Sequence, residues 1–320
     1  MFERFSGPKE IMAFGSSRSK GINRDMFPGR SLYNAAVSAG SLEDFIGIYQ
    51  LLHEKNLVPH EVILETSAWI LNPKNNTLHP DVHTLDAEYG RGLARMGLPK
   101  AQDNHYGRRS RPSWEKIKEL FSPAYFQQAL LSMLDSARKG RGLGHAIQSE
   151  GRPLTDEMVL HPDLSWTSSE ENRAFTADEA ILAAPFAKGI QDFPEIPEIR
   201  KKEFEAFVRQ LLADGVKVTF YRPPWPEQMY QRVVLQYRVV AEEERYLLRF
   251  AEEQGIETVG SYNSADLGFS VADFSDQEHL RRRVVPLVFD ASARAAATAS
   301  ASLRHVPREI GGANDRKKGG

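Results

Sequence analysis

The sequence predicts an α/β fold: a flavodoxin-like three-layer α/β/α sandwich of about five mostly parallel strands, with a long, partly helical insertion. Three observations carry this expectation. Short apolar runs of strand length alternate with stretches of helical periodicity near both ends of the chain. The runs are bounded by glycine, serine or proline, which stop strands abruptly. Strands that alternate with helices pair in parallel, because each crossover needs a helix to carry the chain back.

The first strand is Ile11–Phe14, running into Gly15-Ser16-Ser17. A polar loop over Lys20–Gly29 leads to a second short strand, Ser31–Ala36, and a small-residue turn, Val37–Gly40. Ser41, with Asp44 at the capping-box distance, starts a helix whose apolar face is Leu42, Phe45, Ile46, Tyr49 and Leu52. Pro59 precedes the third strand, Glu61–Thr66. Regular patterning returns with a helix carrying Phe204, Phe207, Val208, Leu211 and Leu212, stopped at Asp214-Gly215. Val216–Tyr221 is the fourth strand, ended by the prolines of Arg222-Pro223-Pro224-Trp225-Pro226. One long amphipathic helix is expected from Tyr230 to Ala251, ended by Gly255, before a fifth strand, Ile256–Val259.

These elements divide the chain. Residues 1–71 and 195–290 form the α/β core. Residues 72–194 are an insertion, part helical (Trp114–Phe121 and Tyr125–Ala137, split by Ser122-Pro123) and part loop, of the kind that makes a lid or an acceptor-binding surface. Residues 291–320, Ala/Ser-rich and then basic, are expected to be a disordered tail.

Composition narrows the function. A chain of 320 residues buries a full core, and a net charge of −2 gives no field for nucleic acid. No apolar run is long enough to span a membrane, and the N-terminus as written lacks a signal core. As written the chain is cytoplasmic; an incomplete N-terminus would allow an extracytoplasmic place. With no Cys, thiolate nucleophiles, disulfides and Cys-ligated metals are excluded. His79-Pro80-Asp81-Val82-His83 has a superficial metal-ligand spacing, but Pro80 opposes a helical pair of ligands, and no metal is expected.

Chemistry concentrates at strand ends. In open parallel sheets the carboxyl edge forms the ligand crevice. Ser17 stands there as a candidate nucleophile, and needs a base and a group to orient that base. Asp276-Gln277-Glu278-His279, the one D-x-x-H of the sequence, follows the last strand and supplies both. One short turn places its two side chains on one side. Arg18 and Arg222 also follow strand ends; they either contact an anionic substrate group or solvate the sheet edge. Asn34 either caps a turn or braces the site. Trp114, Trp166 and Trp225 stack on sugar rings or belong to the core.

Gly15-Ser16-Ser17 after the first strand, Asn34–Gly40 (NAAVSAG) after the second, and Asp276-x-x-His279 after the last resemble the SGNH (GDSL-type) hydrolase superfamily. The likeness is greatest to its envelope- and polysaccharide-modifying branch, the SGNH-like proteins of alginate acetylation and teichoic-acid D-alanylation. It covers residues 10–70 and 200–280. It implies Ser17 as nucleophile, His279 as base, Asp276 as its partner, and an oxyanion hole from the backbone N–H of Ser17 with that of Ala39 or Gly40. The family's third-strand asparagine is missing: Trp69 stands after the strand and Asn72 three residues later, so either of these donates or the donor is absent. With Arg18, Asn34 and Arg222, Trp69 completes the expected substrate side. The implied activity is a serine esterase or O-acyltransferase acting on a small-molecule or glycan ester, without cofactor, with envelope or polysaccharide-assembly partners. The alternative is an inactive binding or assembly protein on the same fold.

Overall fold

A computed structural model describes residues 8–37, 39–73, 75, 85–99, 152–155, 158–168, 175–176, 190 and 193–292. Five strands, β1 (Ile11–Phe14), β2 (Leu32–Asn34), β3 (Glu61–Glu65), β7 (Lys217–Arg222) and β8 (Glu257–Gly260), form one sheet in the order β2-β1-β3-β7-β8. Every pairing in it is parallel. This is the flavodoxin-like order, and all five carboxyl ends reach the same edge.

Strand alternation splits the core between the two faces. Met12, Phe14, Val62, Leu64, Val218 and Phe220 face the larger cluster, built with α1 (Leu42–Glu54), α3 (Glu198–Ala213) and α5 (Arg238–Gln254). Ile11, Ala13, Ile63, Tyr221 and Val259 face a smaller cluster, closed by Ile22, Val285 and Val288. The last two belong to a helix over 285–292, absent from the sequence expectation.

Local signals act as read. The Ser41 hydroxyl accepts from the Asp44 N–H while the Asp44 carboxylate accepts from the Ser41 N–H, a complete capping box. Gly215 (φ +78°) and Gly255 (φ +65°) take left-handed conformations just past α3 and α5.

Two differences matter. The expected long helix is two: α4 (Glu227–Gln236) and α5, broken at Tyr237 (φ −128°, ψ 87°). No proline or glycine marks the break, and α4 buries only Met229 and Val233. Within the block read as insertion, α2 (Asp86–Arg95) packs on α1 as part of the core layer. Close approach makes this possible: a Cβ on Gly92 would lie 2.5 Å from Ile46 Cγ2, and one on Gly47 2.7 Å from Leu85 Cβ. A second sheet, antiparallel β4 (Arg152–Thr155), β5 (Met158–Leu160) and β6 (Trp166–Ser168), was also not expected. The helices read at 114–137, the His79–His83 spacing and the tail from 293 lie outside the described residues. Among the described residues no helix is long and apolar enough to cross a membrane.

Gly260 ends β8 at φ +90°, and a Cβ there would run into the Arg222 carbonyl of the paired strand. Gly260→Ala is therefore expected to cost about 3 kcal/mol of stability, read as a lowered urea midpoint. Gly29→Ala, at φ +78° with open space around the added methyl, should cost only about 1 kcal/mol.

Candidate active site

Each strand contributes one piece at the carboxyl edge. After β1 the chain tightens into a 3₁₀ turn, Ser17–Ser19, with Ser16 as its N-cap: the Ser16 hydroxyl accepts from the Arg18 N–H at 3.2 Å. After β8 a loop of short 3₁₀ turns returns toward β1, pinned by a bridge between Phe274 and Leu280. Inside that bridge the Ser275 N–H donates to the His279 carbonyl at 2.9 Å.

The D-x-x-H segment is a closed turn. Asp276 Oδ1 accepts from the N–H groups of Glu278 and His279, both at 2.8 Å. Asp276 Oδ2 lies 2.7 Å from His279 Nδ1, and His279 Nε2 lies 2.8 Å from Ser17 Oγ. A carboxylate only accepts, so Nδ1 carries the ring proton and Nε2 is left to accept from the serine hydroxyl. Ser17, His279 and Asp276, 262 residues apart at the extremes, thus form one hydrogen-bonded chain.

The electrostatics suit a base. Burial works against a charged imidazole, but the Asp276 hydrogen bond and the nearby charges of Glu278 and Asp276 outweigh it, holding the His279 pKa above its ordinary value. Burial would raise the Asp276 pKa, yet the His279 hydrogen bond and charge, with two backbone donors, pull it below the usual carboxylate range. Both side chains keep an opening to solvent, at 28 % and 30 % exposed.

The turn after β2 closes the other side. The Val37 N–H donates to the Gly15 carbonyl at 2.9 Å, and a Cβ on Gly40 would lie 2.5 Å from that same oxygen. Gly40 is therefore needed for close approach, while its own N–H is committed to the Val37 carbonyl at 3.1 Å. That corrects its expected place as an oxyanion donor. Ser17 and Ala39, the latter at φ +51°, hold the backbone N–H groups that remain candidates.

The expected substrate side is corrected residue by residue. Arg18 is 4 % exposed, so no substrate reaches it. Its Nε donates to the Glu278 carbonyl at 3.2 Å and its Nη2 to the Pro223 carbonyl at 2.7 Å, while its guanidinium sits 4.4 Å from the Trp225 ring centre and 5.5 Å from that of Trp69. It is a strut tying the serine turn to the histidine loop. Trp69 and Trp225 are buried against it and against each other. Arg222 pairs with Glu244 at 2.7 Å and donates to the Gly260 carbonyl, an internal tie between β7, α5 and β8. The Asn34 amide donates to the Ser19 and Ile22 carbonyls at 2.9 and 2.8 Å and accepts from the Ala36 N–H, so it braces the serine turn instead of meeting substrate. Asn72 is buried in the turn after β3, its N–H donating to the Trp69 carbonyl, and is not hydrogen-bonded to Ser17, Asp276 or His279.

Sequence reasoning missed two groups. Glu65, at the end of β3, is 1 % exposed and points its carboxylate into the serine turn. Lys20 is 6 % exposed and stands 4.1 Å from the Trp166 ring centre, and burial lowers its pKa to about 7 against the opposing pull of Glu65. A readable trace of the first existed: an acid closing an otherwise apolar strand, V-I-L-E, carries a charge into a layer that only donors can satisfy. Residues 161–168 dock beside it, with the Trp166 N–H donating to the Lys20 carbonyl and the Asn34 N–H to the Asp163 carbonyl. Among the described residues no cluster of three or more His, Asp or Glu is arranged to hold a metal ion.

Following the His279 ring protons by NMR through a pH titration should give a midpoint above the ~6.5 of an ordinary histidine. Asp276→Asn removes the carboxylate that favours the imidazolium and should move the midpoint down; an unmoved midpoint would contradict the assigned pair. Because the folded value is raised, this site adds stability below the unfolded histidine's ~6.5 and loses it as pH climbs through the folded value. Compared with known proteins, the chain matches no protein-family model and no curated protein sequence.

Proposed function

We propose that this protein is a serine-dependent esterase or O-acyltransferase of SGNH type, acting on acyl esters of a carbohydrate or cell-envelope polymer through an acyl-enzyme. The observation that carries the reading is the Ser17–His279–Asp276 chain, with links of 2.8 and 2.7 Å at the carboxyl edge of a parallel sheet. The order of these groups after the first and last strands supports the SGNH assignment.

In this mechanism Ser17 Oγ attacks the ester carbonyl carbon while its proton passes to His279 Nε2. The carbonyl electron pair moves onto oxygen, and the Ser17 and Ala39 N–H groups stabilise that oxyanion, each such donor being worth about 3 kcal/mol. As the intermediate collapses, the C–O bond to the alcohol breaks and the imidazolium returns its proton to the leaving oxygen. The acyl group then rests on Ser17. Water or a sugar hydroxyl, deprotonated by His279, attacks it and regenerates the serine. Hydrolysis and transfer differ only in which acceptor reaches the acyl-enzyme. Residues 161–168 of the insertion flank the serine turn and would form one wall of the acceptor approach. The reaction requires no cofactor, because the imidazole supplies the base.

A second reading, a catalytically inactive binding or assembly protein for polysaccharide export or modification, is favoured by one observation: the Gly40 N–H is spent on Val37, and no third-strand asparagine stands in its place.

A fluorophosphonate probe separates the two. Labelling of the folded protein that vanishes in Ser17→Ala is the expected result; folded wild type that stays unlabelled would sink the esterase reading. His279→Ala should cut hydrolysis of p-nitrophenyl acetate by roughly three orders of magnitude or more. The rate should rise with pH through a midpoint above ~6.5 and then level off, because only neutral His279 can take the proton.

A further inference from the structure

The segment after β1 holds three serines, Ser16, Ser17 and Ser19, and only one of them meets the imidazole. The other two hydroxyls are taken by Glu65. Its Oε1 accepts from the Ser16 hydroxyl at 2.6 Å and also from the Ser67 hydroxyl. Its Oε2 accepts from the Ser16 N–H at 2.7 Å and the Ser19 hydroxyl at 2.5 Å. Ser16 Oγ, having donated to Glu65, is free to accept from the Arg18 N–H, so the backbone is held on both sides of Ser17. The fit leaves no room to spare: a Cβ on Gly15 would lie 2.5 Å from Glu65 Oε2.

We propose that Glu65 is a positioning residue for the nucleophile. Its carboxylate fixes the Gly15–Ser19 turn and sequesters the flanking hydroxyls, so that Ser17 alone presents its oxygen to His279 and its N–H to the developing oxyanion. The inference rests on the esterase reading for its chemistry. Glu65 does not touch the imidazole; the groups that set the His279 proton affinity are Asp276, Glu278 and Arg18. Its loss should therefore slow acylation without moving the pH at which the base titrates.

Glu65→Gln keeps the shape but replaces one accepting oxygen by a donor, which then faces groups that donate to that oxygen in the wild type. Folded Glu65→Gln, checked by circular dichroism, should show kcat for p-nitrophenyl acetate reduced about 10- to 100-fold, KM within about threefold of wild type, and an unchanged pH midpoint. The fluorophosphonate labelling rate should fall in the same proportion. Ser19→Ala removes one of the four hydrogen bonds at low risk to folding, and should give the same signature at about three- to tenfold. Labelling and kcat in both variants equal to wild type would overturn the inference while leaving the esterase reading intact. A rise confined to KM, or a displaced pH midpoint, would also overturn it, since Glu65 would then act on substrate or on the base. Wild type that is itself unlabelled defeats the esterase reading, and the inference with it.

Discussion

A carboxylate buried at the end of a strand needs donors, and Glu65 finds four of them in hydroxyls and an amide instead of in a salt bridge. Leaving such a group unsatisfied would cost several kcal/mol, on the order of a domain's whole margin of stability. The composition of Gly15-Ser16-Ser17-Arg18-Ser19 follows from that demand. Gly15 is small because the carboxylate lies against it; Ser16 and Ser19 are serines because it needs their hydroxyls. Burial works against the charges of Arg18 and Lys20 and holds both below their ordinary pKa values, while the same anion pulls the other way. Ser17 is the residue of the turn that this network leaves over for other work.

The same requirement links the loops to one another. Backbone carbonyls beyond the strand ends have lost their ladder partners, and five of them accept from side chains of neighbouring segments. Arg18 donates to Glu278 and Pro223, Asn34 to Ser19 and Ile22, and Tyr262 to Thr66. A site built this way is preorganised: its side chains are held in place by hydrogen bonds made during folding.

The sheet was legible from the sequence because each of its strands is a short apolar run with clear stops, and the serine and D-x-x-H segments were legible because they lie beside those stops. Periodicity could not show the break at Tyr237, where the apolar pattern runs on without a proline or glycine. Nor could it show α2, whose Gly92 and Gly47 contacts depend on close approach between two helices distant in sequence. Arg18, Arg222 and Trp69 read as substrate-facing because strand ends usually are. Their burial comes from tertiary partners, Pro223, Glu244 and Trp225, that no local pattern announces. Glu65 was overlooked for a similar reason: three of its four hydrogen bonds come from another strand's loop.

The helix over 285–292 explains why groups so far apart in the chain can share a hydrogen bond. It packs behind β1 and β8 through Val285 and Val288, on the face that also receives Ile22 from the serine turn's own continuation. A Cβ on Gly21 would lie 2.8 Å from Val285 Cγ2, so this helix presses directly on the chain leaving Ser17–Ser19. Ser292 on the same helix accepts from the Gly260 N–H, at the start of the loop that carries His279. One helix therefore backs both the serine turn and the root of the histidine loop, and Arg18 joins the two across the front. The separation of Ser17 and His279 in sequence becomes a fixed separation in space, because the two segments are held to common supports.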